Sequence, residues 1–174
     1  MGADELAGPL ADIPVEYFWN ADRSEVFKRA QESGMDVIIP TNSQLSLDLD
    51  AHTLNRQSPL VKSWEHLIVI MEDLFDVCII GGEMWLSKSR NWHVILDLSS
   101  AVPENTLTHW EMMLGSDPVR GAINTRRILA GGDCPRALFR PKLSHVIKLS
   151  IGDGSVEDAW LNILDVAYLL KRRY

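Results

Sequence analysis

Apolar and polar residues alternate through Gln44-Leu45-Ser46-Leu47-Asp48-Leu49-Asp50, the period-two pattern of a strand with one buried face. Leu45, Leu47 and Leu49 then enter a core, while Ser46, Asp48 and Asp50 share the opposite face. Upstream, the pattern predicts a short helix from Ser24 as N-cap to about Ser33, ended by Gly34, and a strand over 36–40 closed by Pro40. Downstream, Val61, Trp64, Leu67, Ile68, Met71, Leu74 and Phe75 recur at three- and four-residue steps, which predicts a helix over 59–75. The apolar run 77–85, with a bulge at Gly81-Gly82, the polar turn 87–91 and the strand 92–98 read as a hairpin. Helices follow from Pro103 or Glu104 to about Leu114, and from Pro118 to about Leu129. Residues 133–145 read as loop, 146–151 as a short strand, and 156–170 as an amphipathic helix capped by Ser155.

Strand, helix, strand, strand, helix is the order of an α+β domain with an antiparallel-containing sheet and helices packed on one face. Such a sheet leaves its other face free for a ligand. The 174 residues suit a single domain over 22–174, preceded by an irregular lead-in at 1–21.

Composition narrows the function. The net charge of −7 argues against a simple electrostatic nucleic-acid binder. It leaves room for a metal-dependent enzyme on nucleotides, because clustered carboxylates add to the count and bound cations offset them. The charge is uneven: Arg120, Arg126, Arg127, Arg136, Arg140 and Lys142 make 118–142 basic, with Asp133 its one acid. No apolar run reaches the roughly 18 residues of a membrane span, and the N-terminus lacks signal-peptide features. With two cysteines, neither at zinc-ligand spacing, a cytoplasmic location is expected.

Two segments carry the candidate chemistry. Strand carboxylates at i and i+2, Asp48 and Asp50, sit about 6–7 Å apart at the backbone and can converge on a divalent cation. Ser87-Lys88-Ser89-Arg90, two hydroxyls and two cations in a turn, offers a phosphate cradle, with His93 next to it as a hydrogen-bond donor. An acidic pair split by one hydrophobic residue, then a Ser-containing turn and a strand-opening histidine, resembles the archaeo-eukaryotic primase (primase–polymerase) superfamily. The run Ser87 to Val94, with Leu114-Gly115-Ser116-Asp117-Pro118 downstream, is similar to small primase-like proteins of bacteriophages, over residues 36–140.

The resemblance implies an RNA-recognition-like sheet with an archaeo-eukaryotic primase-like core. It implies Asp48, Asp50 and a third acid, Asp117 or else Asp97, as catalytic ligands of Mg2+ or Mn2+. Ser87 or Ser89, His93, Lys88 and Arg90 would hold the triphosphate, supported by Arg120 and Arg127. The implied activity is nucleotidyl transfer from a nucleoside triphosphate on a single-stranded DNA or RNA template, in DNA replication, with a replicative helicase or other replication protein as partner and a phage-infected bacterial cell as setting. A non-catalytic phage accessory protein binding nucleotide or single-stranded nucleic acid is the alternative, and a metal-dependent phosphodiesterase shares the same carboxylates. Where the family commonly has glycine before its histidine, this chain has Asn91-Trp92. Glu104, His109 and Glu111 read as a solvated helix face, and His52 as a turn residue. Trp64, Trp110 and Trp160 read as core, Trp85 and Trp92 as contacts to a base. Residues 136–142 read as a template-phosphate contact or a plain loop.

Overall fold

The computed structural model describes residues 23–50, 63–64, 66–67, 69–129, 136–150 and 163. Helix α1 (Arg23–Glu32) leads into β1 (Met35–Ile38) and β2 (Gln44–Leu49). A π-helical segment, Val69–Leu74, precedes the hairpin of β3 (Ile79–Leu86) and β4 (Trp92–Leu98). Helices α2 (Glu104–Met113) and α3 (Pro118–Leu129) follow, then β5 (Leu138–Pro141) and β6 (Ile147–Leu149). The architecture is α+β, with an antiparallel sheet in the order β2-β4-β3-β6 and a separate two-stranded ribbon of β1 and β5. Because β2 and β3 both run antiparallel to β4 between them, they are parallel to each other and form a split β-α-β unit.

Period-two patterning does what it should on β2: Leu45, Leu47 and Leu49 are all fully buried. They join Met84, Val94, Leu96 and Leu98 on one face of the sheet, covered by Trp64, Leu67 and Met71, by Leu107 and Trp110 of α2, and by Leu114 at its C-cap. Ile163 is also helical and buried in this core; the rest of the helix expected at 156–170, the lead-in 1–21, His52 and Trp160 lie outside the described residues. Among the described residues no helix is long and apolar enough to cross a membrane.

Several expectations need correcting. The helix toward residue 75 ends in a π-wound turn, closed by the Val77 N–H on the Met71 carbonyl with Asp76 left-handed at φ 53°. Helix α1 begins at Arg23, so Ser24 lies inside its first turn, while Gly34 ends it at φ +76° as expected. The bulge in β3 falls between Ile79 and Gly81. Gly82 serves close packing instead, since a Cβ there would drive into the Ile95 carbonyl oxygen. Most consequentially, 133–145 is not all loop. β5 pairs with β1 in the register Asp36↔Arg140 and Ile38↔Leu138, and this ribbon packs on the second face of the sheet. There Trp85, Ile95, Leu138 and Ile38 form a second, small core, so that face is not free.

Candidate functional site

The cross-strand register arranges the second face in rows. Asp48 pairs with His93 and His93 with Trp85; Ser46 pairs with Ile95 and Ile95 with Glu83; Gln44 pairs with Asp97. Directly opposed residues of antiparallel strands share a face at close range, so Asp48, His93 and Trp85 form one line across three strands.

β2 is an edge strand, and residues 44, 46 and 48 turn their main-chain groups outward, where another strand would normally bond. Here side chains and a helix start take that strand's place. The Gln44 carbonyl accepts from Arg136 Nη1 at 2.8 Å, and Ser46 N–H donates to Glu111 Oε1 at 2.7 Å. The Ser46 carbonyl accepts from Arg120 Nη1 at 2.9 Å. Asp48 N–H donates to Ser116 Oγ at 3.0 Å, and the Asp48 carbonyl accepts from Asp117 N–H at 3.0 Å. Arg136 and Glu111 form an ion pair at 2.7 Å with both side chains almost wholly buried. The edge is therefore sealed, which answers the exposure problem of edge strands and fixes β2 against α2 and α3.

On this fixed strand, Asp48 Oδ1 lies 3.6 Å from His93 Nε2. That is beyond hydrogen-bond length, and Oδ1 is buried without a hydrogen-bond donor. The imidazole is held from its other side: Nδ1 lies 3.0 Å from the Phe139 carbonyl, which can only accept, so Nδ1 carries a proton. The same carbonyl accepts from Trp85 Nε1 at 3.2 Å, and Trp85 meets the His93 ring edge-to-face at 5.8 Å. Burial pushes the Asp48 carboxyl toward its neutral form, but the His93 imidazole, then Arg120 and the Asn91 side chain, more than offset this. The net result is a carboxyl held below its ordinary value, ionised at neutral pH.

The expected site is thus brought together in part. Asp48 and His93 meet, with the turn 87–91 beside them. Lys88, Ser89 and Arg90 are exposed there, and Arg90 is left-handed at φ 67°. Ser87 is buried and shapes the turn: its Oγ accepts from Asn91 N–H at 3.0 Å and lies 3.0 Å from Ser89 Oγ. Asp50 is exposed just past the end of β2. Asp117 touches Asp48 through its main chain, but its carboxylate caps α3, accepting from Val119 N–H at 2.9 Å. Asp97 accepts from Gln44 Nε2 at 2.8 Å, two rows along the sheet face from the Asp48–His93 row. Among the described residues, no three His, Cys, Asp or Glu side chains group around a point where a metal would sit.

Arg120 is drawn into the edge seal, and Arg127 lies two turns further along α3, half-buried. Trp85 is fully buried in the small core and Trp92 in the main one, so neither offers a face to a base. Arg136 and Arg140 are likewise engaged: Arg140 pairs with Glu83 at 3.4 Å and Asp36 at 3.8 Å and lies over the Trp85 ring. Glu111, expected on a solvated helix face, is instead almost wholly buried against Arg136, and sequence reasoning gave no role to Ser116 or to the Asn91 side chain. For Glu111 a signal existed, since it falls four residues after Leu107 and three before Leu114, on the apolar stripe of α2. A charge there calls for a buried partner. Comparison with protein-family models, curated proteins and solved structures returned no match.

Proposed function

We propose that the protein binds a nucleoside triphosphate together with a divalent cation, Mg2+ or Mn2+, at the corner where the end of β2, the 87–91 turn and the start of α3 meet. The observation that carries this reading is the orphaned, buried Asp48 Oδ1 facing His93 Nε2 at 3.6 Å. Asp48 is held ionised by its neighbours, yet this buried oxygen accepts no hydrogen bond, and a divalent cation held by Asp48 and His93 would supply its partner. The residues fit such an ion. Asp48 supplies a hard anionic oxygen, and His93 offers Nε2 while its Nδ1–H is fixed by a carbonyl, the usual outer-shell support of a metal-bound histidine. A cation bound there would neutralise part of a triphosphate's charge. Lys88 and Arg90, exposed on the adjacent turn, would meet the remaining phosphate oxygens.

The primase resemblance supports the same ligand class, and the split β-α-β unit is compatible with its sheet. Nucleotidyl transfer on a single-stranded template is the stronger form of the reading, and it needs a third acid. Of the two candidates for that acid, Asp117 spends its carboxylate on capping α3, and Asp97 accepts from Gln44 two rows away from Asp48. Binding, rather than primer synthesis, is therefore the function we assign. Calorimetric titration with ATP, with and without Mg2+ or Mn2+, tests it: binding is expected only with metal and is lost in Asp48→Asn. Metal-indifferent binding, or equal binding by Asp48→Asn, would refute the assignment. Primer synthesis by the wild type that Asp48→Asn abolishes would establish the stronger form in its place.

A further inference from the structure

Both main-chain polar groups of Asp48 are taken by consecutive residues of the α2–α3 connection. Its N–H donates to Ser116 Oγ at 3.0 Å, and its carbonyl accepts from the Asp117 N–H at 3.0 Å. Ser116 is itself 5% exposed and lies 3.3 Å from Arg120 Nη1, which also binds the Ser46 carbonyl two residues earlier in β2. The connection cannot swing away, because Ser116 N–H donates to the Glu111 carbonyl and Gly121 N–H to the Asp117 carbonyl, tying it to α2 and α3. The Asp117 side chain points its Oδ1 along α3 to the Val119 N–H.

We propose that Ser116 and Asp117 are positioning residues for the Asp48 site: they set the carboxylate against His93 by clamping the Asp48 main chain, and the Asp117 carboxylate is not a ligand. This inference rests on the metal–nucleotide reading of Asp48. A strand held from both N–H and carbonyl keeps its Cα–Cβ direction, and a shift of about 1 Å in such a group is enough to degrade a site. The clamp thus gives Asp117 a role at the site that needs no charge, whereas a metal ligand there would need its carboxylate.

The two roles separate on substitution. Asp117→Asn keeps both the cap and the backbone N–H but removes the charge, while Ser116→Ala removes the hydroxyl acceptor. Mn2+ and ATP binding would be measured by calorimetry on the full chain. Asp48 amide exchange and the pH titration of its carboxyl resonance would be followed by NMR. Expected are Mn2+–ATP affinity within about twofold of wild type for Asp117→Asn and at least fivefold weaker for Ser116→Ala. In Ser116→Ala the Asp48 amide should exchange faster and its carboxyl should titrate nearer the ordinary value. A tenfold or greater loss in Asp117→Asn makes Asp117 a ligand and overturns the clamp while leaving the Asp48 reading intact. Wild-type affinity in Ser116→Ala overturns it as well. Should Ser116→Ala fail to fold, Asp117→Asn alone decides. Absence of Mn2+–ATP binding by the wild type overturns the reading of Asp48 and the clamp with it.

Discussion

Asp48 is the residue on which charge, burial and geometry converge, and its ionisation should be visible in stability. Its folded-state pKa is lowered by His93, Arg120 and Asn91 against the opposing effect of burial. The folded chain therefore releases this proton more readily than the unfolded chain. The resulting stability is full above the unfolded value, near pH 4, and is lost as pH falls through the lower folded value. Urea denaturation at pH 7 and pH 3 should show a larger difference between wild type and Asp48→Asn at the first and a smaller one at the second. A gap that stays constant would mean that the charge of Asp48 is not what His93 and Arg120 hold. Arg90 gives a second test at this scale. A left-handed arginine costs about 1–2 kcal/mol relative to glycine's ease there, partly offset by glycine's greater freedom in the unfolded chain. Arg90→Gly should therefore raise stability by about 0.5–1 kcal/mol while weakening ATP binding through the lost cation.

At the scale of elements, the sealed edge of β2 decides how the site is built. Glu111 Oε1 receives Ser46 N–H and Arg136 Nη1 and lies within 3.0 Å of Ser46 Oγ, so one buried carboxylate oxygen replaces part of a strand. Glu111→Ala leaves the Arg136 guanidinium buried without its counter-charge, which should cost about 3–5 kcal/mol in chemical denaturation. A double replacement of both by Met should recover only part of that loss: it removes the unpaired charge, but the Ser46 N–H and the Gln44 and Thr41 carbonyls lose their partners. Close packing between β3 and β4 supplies a contrasting pair: Gly82→Ala collides with main chain of β4, whereas at Gly81 the nearest atom to an added Cβ is 3.7 Å away. Thermal melting should show Gly82→Ala severely destabilised and Gly81→Ala close to wild type.

These elements also show what the chain's pattern could and could not disclose. The strands β2, β3 and β4 were legible from local runs or alternations of apolar residues, and the helices α2 and α3 from start and stop residues such as Pro103, Pro118 and the glycines that follow. Asp48 and His93 stood out as candidate site residues because each is a polar residue placed in an otherwise apolar strand. β1 was legible as a strand over 36–40, but β5 and its pairing with β1 were not, because the two segments lie about 100 residues apart and β5 is only four residues long. Nor was the engagement of Ser87, Arg120 and Arg136, since a basic or hydroxyl side chain reads alike whether it awaits a phosphate or caps a buried carbonyl. The role of Asp117 turned on direction: N-cap and metal ligand need the same residue type, and only the geometry at Val119 separates them.

At the scale of the whole molecule, the described residues form two cores of unequal size on opposite faces of one sheet. The smaller, Trp85, Ile95, Leu138 and Ile38, is supplemented by Arg140 with Glu83 and by the Phe139 carbonyl shared between Trp85 and His93. With so little apolar burial, the ribbon should open ahead of global unfolding. Native-state hydrogen exchange should show amides of 35–38 and 138–140 exchanging at least about tenfold faster than those of β2 and β4. Equal protection would make the ribbon part of a single cooperative unit. The net charge of −7 adds a constraint on the ligand, since phosphate approaches such a chain most readily with a cation. The most direct measurement is therefore paramagnetic line broadening in NMR spectra of the wild type on adding Mn2+ with ATP. Expected is strongest broadening at Asp48 and His93, extending to the 87–91 turn, leaving β6 sharp, and absent in Asp48→Asn. Broadening centred elsewhere, or unchanged in Asp48→Asn, would contradict a metal–nucleotide site at this corner.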